Sequence, residues 1–251
     1  TTDYYATVSF SSGGCSLITS NTATITVNPL PTISTQPTAL QSICKGGSVN
    51  TVTVAYTGGV GTATYQWFSN TGNSNTGGTL IPGATSSSFT PPAATFTTIG
   101  NYYYYAEVTL SGSGCGKAVS NVSQVEVVAD PIISVPALAT QTQCQNAPAT
   151  DLTVQVTGGL GAISYQWYNP ITSSNTGGTA IPGATAATYT PSTAVVGTKY
   201  YYVIVTQTVS GCSVTSPVST VIVVDAPSIT TQPVSNTVCK DGTTPALSIA
   251  Y

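Results

Sequence analysis

Two stretches of the chain, one hundred positions apart, have nearly the same sequence. Residues 65–85 read "YQWFSNTGNSNTGGTLIPGAT", and residues 165–185 read "YQWYNPITSSNTGGTAIPGAT". Trp67 aligns with Trp167, and the glycine-rich runs that follow align without a gap. Self-similarity at a fixed offset is the sequence signature of a repeat architecture. The duplicated stretch therefore predicts that the rest of the chain is also written in repeats.

The same offset extends along most of the chain. Cys44 aligns with Cys144, and farther on the offset falls to 97, where Cys115 aligns with Cys212. Partial copies flank these two full ones, because "DYYATVSFSSGGC" resembles "YYYAEVTLSGSGC" and "TQPVSNTVCKDG" resembles "TQPTALQSICKGG". We therefore expect the natural polypeptide to be longer. The predicted domains are the C-terminal part of a repeat, two complete repeats and the N-terminal part of a further repeat, at residues 1–30, 31–130, 131–226 and 227–251.

Within a repeat, apolar residues recur with the period of a β-strand. Val52, Val54 and Tyr56 alternate with smaller or polar residues, and later segments such as "NYYYYAEVTL" are rich in aromatic and β-branched residues. About seven short strands in about 100 residues, separated by Gly and Pro, are typical of a β-sandwich. We predict an all-β chain of tandem immunoglobulin-like repeats of about 96–100 residues, arranged as an elongated string. Trp67 and Trp167 are predicted core residues between the two sheets rather than exposed platforms for sugars.

The order of motifs within a repeat resembles a known group of modules. Each repeat runs P-x-I, C, YQW[FY], GGT-x-IPGAT, [FY]TP, YYY, GC and V-x-V. This order resembles the Ig-like modules that occur in tandem in giant secreted and cell-surface proteins of gliding Bacteroidota, including adhesins of the type IX secretion route. The resemblance implies an extracellular, modular and mostly non-catalytic stalk or adhesin segment.

The composition argues against several classes of function. Only 4% of residues are charged and there is no histidine, against roughly 25% charged residues in ordinary domains. Nucleic acids and anionic lipids are bound by clustered Lys and Arg, which the sequence does not offer, and no apolar run approaches the ~20 residues of a membrane span. Acid–base catalysis without histidine would need paired carboxylates or an activated lysine, and the seven acids do not recur as pairs. We predict no enzyme, catalytic residue, metal or cofactor, no nucleic-acid partner and no membrane insertion.

The six cysteines are widely spaced, with no CxxC pair among them. This spacing favours disulfides formed in an oxidising environment outside the cell over a zinc site. One pairing lies within each repeat and leaves two cysteines for partners outside the sequence: Cys44–Cys115 and Cys144–Cys212, with Cys15 and Cys239 left over. The other crosses the repeat boundaries and uses all six: Cys15–Cys44, Cys115–Cys144 and Cys212–Cys239. We favour the first because a module must be stable wherever it is inserted, although the usual strand order puts its two cysteines at opposite ends of the sandwich.

The tyrosine runs at 102–105 and 200–202 must place alternate rings on opposite faces of one strand. We expect one set to fill the core and one of its members to make the corner hydrogen bond of Ig sandwiches. The outward set could contact a polysaccharide or a neighbouring chain, although ordinary cross-strand packing is the favoured interpretation.

The predicted function is that of a structural and adhesive stalk in a very large extracellular surface protein. Such a stalk would hold a distal binding element away from the cell, with neighbouring repeats of the same chain as its partners. Two alternatives stay open: a segment that assembles with identical chains into a filament or sheath, and a carbohydrate-binding module of a secreted enzyme that contacts surface polysaccharide.

Overall fold

A computed structural model describes residues 1–14, 16–112 and 116–251. Over these residues the chain consists of β-strands, turns and one 3₁₀ helix, Ala93–Thr95, without an α-helix. The N-terminal segment contains four short strands, β1 to β4: Thr2–Tyr4, Thr7–Val8, Ile18–Thr19 and Ala23–Ile25. None of the described helical segments is long and apolar enough to cross a bilayer.

Each of the two following repeats contains ten strands among its described residues. The first has β5 to β14: Thr32–Thr35, Leu40–Cys44, Val52–Thr53, Ala55–Thr57, Ala63–Asn70, Thr79–Leu80, Ser88–Phe89, Gly100–Leu110, Lys117–Val119 and Ser123–Val128. The second has β15 to β24: Ile132–Val135, Thr140–Cys144, Leu152–Thr153, Gln155–Thr157, Ile163–Asn169, Thr179–Ala180, Thr188–Tyr189, Gly197–Gln207, Ser213–Thr215 and Ser219–Val224.

The strands of each repeat form one large sheet and a smaller set of paired strands. In the first repeat the large sheet has the order β10-β9-β12-β14-β6, with β13 beside β12, while β5 pairs with β8 and β7 with β11. The second repeat reproduces this arrangement as β20-β19-β22-β24-β16, with β23 beside β22 and the pairs β15–β18 and β17–β21. All neighbours are antiparallel except β6 with β14 and β16 with β24, which are parallel. The predicted fold class, tandem immunoglobulin-like β-sandwiches, is confirmed.

The duplicated tryptophans lie at the centre of each repeat. Trp67 and Trp167 are both 0% exposed, and each pairs across the sheet with a small or β-branched residue of the tyrosine-rich strand, Ala106 or Val203. Valines of the smaller strand set pack against them, including Val52 in the first repeat. Burying a large indole between two faces of alternating apolar residues is what the period-two pattern requires.

The two repeats differ where the offset changes. The first has the 3₁₀ helix, which is followed by the fully buried Phe96. The Phe96 backbone carbonyl accepts the Gly46 N–H at 2.7 Å. The second lacks this helix, and Thr193 takes over the role: its carbonyl accepts the Asn146 N–H at 3.1 Å and its hydroxyl donates to the Ala147 carbonyl at 2.6 Å. The first repeat therefore uses a helical turn followed by an aromatic residue, and the second uses a shorter loop with a small polar residue in the same place.

The residues outside the two full repeats are almost entirely exposed. In the N-terminal segment β1 pairs with β4 and β2 with β3. Beyond Asp225 the chain has a single bridge, between Thr231 and Ala250. The chain divides into two compact units, Thr1–Val128 and Ala129–Tyr251, and the repeat boundaries given above stay predictions.

Candidate functional site

The "YQW" tripeptide and the "IPGAT" turn form one hydrogen-bonded unit. Trp67 donates its backbone N–H to the Ala84 carbonyl at 3.0 Å and its indole Nε1–H to the Ser86 carbonyl at 2.9 Å. The Gln66 side chain donates to the carbonyls of Trp67 and Ile81, both at 2.8 Å. In the second repeat, Gln166 donates to the carbonyls of Trp167 and Ile181, and Trp167 donates to those of Ala184 and Ala186. All four bonds measure 2.9–3.0 Å. The motif thus satisfies the buried indole N–H, as a buried Trp requires.

The "NTGG" loop folds back over the tyrosine-rich strand. The Tyr105 hydroxyl accepts the Gly78 N–H at 3.1 Å, and the Tyr105 ring stacks on Phe68 with centroids 5.1 Å apart. Asn75 donates its amide to the Ser120 carbonyl at 2.9 Å. In the second repeat the same contacts join Tyr202 to Gly178 at 3.1 Å, Tyr202 to Tyr168 at 5.0 Å and Asn175 to Ser216 at 3.3 Å. The outward tyrosine is therefore covered by its own loop, which supports ordinary packing over an exposed stripe.

The inward tyrosines lie in the core. Tyr104 packs against Phe89, and Tyr201 packs against Tyr189. Burial, with a smaller contribution from Tyr102, raises the pKa of Tyr104 to about 12. Burial, with a smaller contribution from Tyr189, raises the pKa of Tyr201 to about 12 as well. Both phenols stay neutral near neutral pH and are unsuited to proton transfer there.

The corner hydrogen bond predicted for this strand is confirmed in the first repeat. The Tyr102 hydroxyl donates to the Thr98 carbonyl, four residues upstream, at 3.1 Å. The aligned residue of the second repeat is Lys199, which has no ring to repeat the bond. Tyr103 and Tyr200 are the half-buried tyrosines that remain on the outer face.

A serine at the last strand fixes the register of the sheet. Ser120 is fully buried; its hydroxyl accepts the Ala106 N–H at 2.9 Å and donates to the Asn121 carbonyl at 2.8 Å. In the second repeat Ser216 accepts from Val203 at 3.0 Å and donates to Pro217 at 2.9 Å. The serine lies between two strands of its repeat, β13 and β14 in the first and β23 and β24 in the second. Its hydroxyl satisfies a backbone N–H of the tyrosine-rich strand at this interruption.

Three of the cysteines begin the same tight turn. The carbonyl of the cysteine accepts an N–H three residues on, at 2.9, 3.0 and 2.9 Å after Cys44, Cys144 and Cys239. The residue two positions after each cysteine has positive φ, 73° at Gly46, 63° at Asn146 and 66° at Asp241. Gly, Asn and Asp are the residues that tolerate this conformation best. The turn is therefore one structural element in three copies, even though the copies share only the cysteine.

The cysteines divide into two states. Cys44 and Cys212 are disulfide-bonded, whereas Cys144 and Cys239 are free. The predicted Cys144–Cys212 bond is therefore absent, and the alternative bonds Cys115–Cys144 and Cys212–Cys239 are absent as well. The predicted Cys44–Cys115 and Cys15–Cys44 bonds involve Cys15 and Cys115, which lie outside the described residues.

The second repeat shows why its two cysteines do not pair. Cys144 pairs with Val224 of β24. The preceding residue of β24, Val223, pairs with Gly197, the first residue of β22. Cys144 therefore lies near the start of β22. The Cys212 carbonyl accepts the N–H of Gln207, the last residue of β22, at 2.8 Å. Ten positions along a strand span about 33 Å, whereas a disulfide needs Cα atoms within about 7 Å. The two cysteines lie at opposite ends of the sandwich.

Several of the charged side chains bind neighbours on the sheet surface. Lys117 and Glu107 form an ion pair at 2.7 Å across β12 and β13, with side chains 55% and 20% exposed. Asp3 accepts from Thr24 at 2.7 Å, and Glu126 from Ser42 at 3.1 Å. An exposed pair of this kind contributes about 0–1 kcal/mol. These carboxylates act as cross-strand partners in the described part of the chain.

These sandwiches define the class of protein: tandem immunoglobulin-like modules. Among solved structures, "Sidekick-1 immunoglobulin domains 1-5" is similar with a TM-score of 0.44 and 15% identity over 83% of this chain, which spans 42% of that structure. Titin domains I67–I69 give a TM-score of 0.45 and 18% identity over 81% of this chain and 69% of that one. Fibronectin(III)-like modules of Clostridium thermocellum CbhA give 0.42 and 17% over 77% of this chain and 94% of that one.

The family follows from the sequence itself. Residues 33–129 and 135–225 each match the model of the family described as "Domain of unknown function (DUF8696)", and the chain belongs to this family. No curated protein matches the chain.

Proposed function

We propose that this chain is a structural and adhesive stalk segment of a very large extracellular surface protein, in which the repeats hold a distal binding element away from the cell. The observation that carries the proposal is the parallel pairing of an early strand of each repeat with its last strand. Residues 40–44 of β6 pair in register with residues 124–128 of β14, and β16 pairs with β24 in the same way.

This pairing suits a module that is pulled from its two ends. Tension that enters at the start of a repeat and leaves at its end acts along β6 and β14 in opposite directions. The bonds between two parallel strands are evenly spaced, so such a load shears all of them together rather than one after another. Strands that peel apart from one end would lose their bonds singly. The same geometry in both repeats supports a mechanical role.

The motifs shared by the repeats support the same proposal. The duplicated Trp, Gln, Asn and Tyr side chains bond within their own repeat, and all buried side-chain polar atoms among the described residues have hydrogen-bond partners. What the two copies have in common is therefore a stabilising frame. The disulfide-bonded cysteines favour an oxidising extracellular location.

Single-molecule stretching in reducing buffer tests the mechanical role. We expect two unfolding peaks, each of which extends the chain by about 30 nm, since about 95 residues are released less their folded length. Gln41→Pro removes a backbone donor that β6 gives to β14 and should lower the force of one peak, and Gln141→Pro removes the matching donor of β16 and should lower the force of the other. A single merged event, or peaks that neither substitution changes, would contradict the proposal.

Polysaccharide binding is a second candidate for the first repeat. A shallow open cleft lies beside the start of β12, where half-buried Tyr103 and Tyr102 meet Asn70 and Gly78. An aromatic ring flanked by amide and backbone groups is suited to stacking on a sugar. Retention on immobilised polysaccharides that Tyr103→Ala abolishes and Tyr200→Ala preserves would support this function. Equal retention by both variants, or none by the native chain, would contradict it.

A further inference from the structure

We propose that the second repeat binds a second copy of this chain by pairing the open edge of β16 with β16 of that copy. The two strands run antiparallel, with Thr142 of one copy opposite Thr142 of the other. The large sheets of the two second repeats become continuous across this seam. Such a lateral contact between copies goes beyond the proposed function.

The backbone groups of β16 alternate between β24 and the open edge of the sheet. The Ala139 carbonyl, just before β16, accepts the Thr220 N–H of β24 at 2.8 Å. In a parallel ladder every second residue of a strand bonds to the same neighbour, so the odd-numbered residues of β16 face β24. The N–H and carbonyl groups of Thr140 and Thr142 therefore point away from the sheet.

β16 lacks the features that protect the other edge strands of the repeat. β20 and β21 are two residues long, and β15 has a register shift between Ile133 and Val135. Short strands, irregular register, proline and charge are common means of keeping a sheet edge from pairing. β16 has five residues, Thr140–Cys144, with no proline, no charged residue and an uninterrupted register. Since Thr140 and Thr142 are also exposed, the edge is open to a further strand.

The sequence of β16 is complementary to itself in the antiparallel direction. Residues 141–143 read Gln-Thr-Gln, which is symmetric about Thr142. An interface across a twofold axis must be self-complementary. Antiparallel pairing about Thr142 sets threonine opposite threonine and Gln141 opposite Gln143, and hydroxyl and amide side chains can both donate and accept hydrogen bonds. A second copy is therefore a partner that fits this edge.

The aligned strand of the first repeat, β6, is not suited to the same contact. Residues 41–43 read Gln-Ser-Ile, so self-pairing about Ser42 would set an amide opposite an aliphatic side chain. Ser42 also donates to the Glu126 carboxylate at 3.1 Å, whereas the residue that pairs with Thr142 is the uncharged Ile222. β6 therefore provides a matched control edge within the same chain.

The seam is short, so a single pair of strands binds weakly. Five residues from each copy bury less than the ~1,200 Å² at the lower end of stable interfaces. We therefore expect a chain that is monomeric when dilute and dimeric when concentrated. In a long stalk, several such edges would act together and raise the affinity through avidity, a consequence that alone rests on the proposed function.

Sedimentation velocity across a concentration series tests the contact. We expect the mass to rise from that of a monomer towards that of a dimer, and hydrogen exchange of the Thr142 amide to slow several-fold over the same range. Thr142→Lys sets like charges directly opposite each other and should abolish both effects, whereas Ser42→Lys should preserve them. A monomer at every concentration, or equal effects of the two substitutions, would overturn the proposal.

Disulfide trapping tests the register. The starting chain carries Cys144→Ser and Cys239→Ser, which remove the described free thiols. Opposite residues of a hydrogen-bonded pair have Cα atoms about 5.5 Å apart, within the range of a disulfide. Thr142→Cys should therefore yield more covalent dimer than the starting chain on mild oxidation. Thr140→Cys should not, because its two copies lie about 14 Å apart along the strands.

Equal dimer yields from Thr142→Cys and Thr140→Cys, or no dimer from either, would overturn the proposal. Stretching of single molecules does not involve this seam. Two force peaks from a chain that stays monomeric would therefore support the proposed function and overturn the lateral contact alone.

Discussion

Ser120→Ala tests whether the buried serine holds the last strand in register. The substitution removes the acceptor of the Ala106 N–H and the donor to the Asn121 carbonyl. Ser120 and Ala106 are both 0% exposed, so water cannot replace the hydroxyl. A buried donor left without a partner costs about 1–3 kcal/mol, and the second lost bond adds about 0.5–1.5 kcal/mol. We expect the first repeat to lose about 2–3 kcal/mol of unfolding free energy.

The assay is denaturant unfolding followed by hydrogen exchange of peptides from each repeat. The loss should be confined to peptides of the first repeat, and Ser216→Ala should produce the same loss in the second. Ser88→Ala, an exposed serine on β11, is the matched control and should change stability by less than about 0.5 kcal/mol. A Ser120→Ala effect no larger than that of Ser88→Ala would refute the reasoning.

Three further predictions follow from the same contacts. The unfolding free energy should fall between pH 10 and 12, because Tyr104 and Tyr201 have a pKa of about 12 in the folded chain and an ordinary value of 10.0. The phenols of the unfolded chain therefore ionise first, which favours unfolding. Each should contribute a slope of up to about 1.4 kcal/mol per pH unit, measured by denaturant unfolding at a series of pH values. A flat profile would contradict this. Tyr105→Phe should lower the unfolding free energy by about 1 kcal/mol, because the bond from the Gly78 N–H to the Tyr105 hydroxyl is lost. Hydrogen exchange of the Gly78 amide should become faster, and an unchanged exchange rate would contradict the role of this bond. Gln207→Leu should lower the unfolding free energy of the second repeat by about 1–2 kcal/mol, because the bond to the Ala129 carbonyl is lost. A gain in stability would contradict a stabilising role for Gln207.

The fold could be predicted because the signals that define it are local and occur twice. The one-hundred-residue offset, the period-two alternation and the single tryptophan per repeat each restrict the architecture, and together they specify tandem sandwiches. Trp67 satisfies its indole through the "IPGAT" turn, which lies within the same duplicated stretch. Elements whose partners are close in sequence were therefore predictable.

The buried serines were not predicted because the repeat offset changes near them. Ser120 aligns with Ser216 at an offset of 96, one less than at Cys115 and Cys212. Their role depends on a backbone donor in the adjacent strand, fourteen and thirteen residues away. A common small residue with a shifted offset carries too little signal to reveal such a contact.

The cysteine pairing was wrong where it could be checked because spacing along the chain does not show which end of a sandwich a residue occupies. Cys144 ends a strand level with the exit of its repeat, and Cys212 lies beyond the far end of β22. The parallel strand β16 places the turn at that end, and its pairing with β24 is a long-range contact that local patterns do not show.

The stalk account is tested most directly by stretching the chain from its two ends in reducing buffer, where no disulfide limits the extension. The account predicts two separate force peaks, each followed by a length gain of about 30 nm, with Gln41→Pro weakening only one of them. Smooth extension without peaks, or one peak that releases both repeats together, would contradict it.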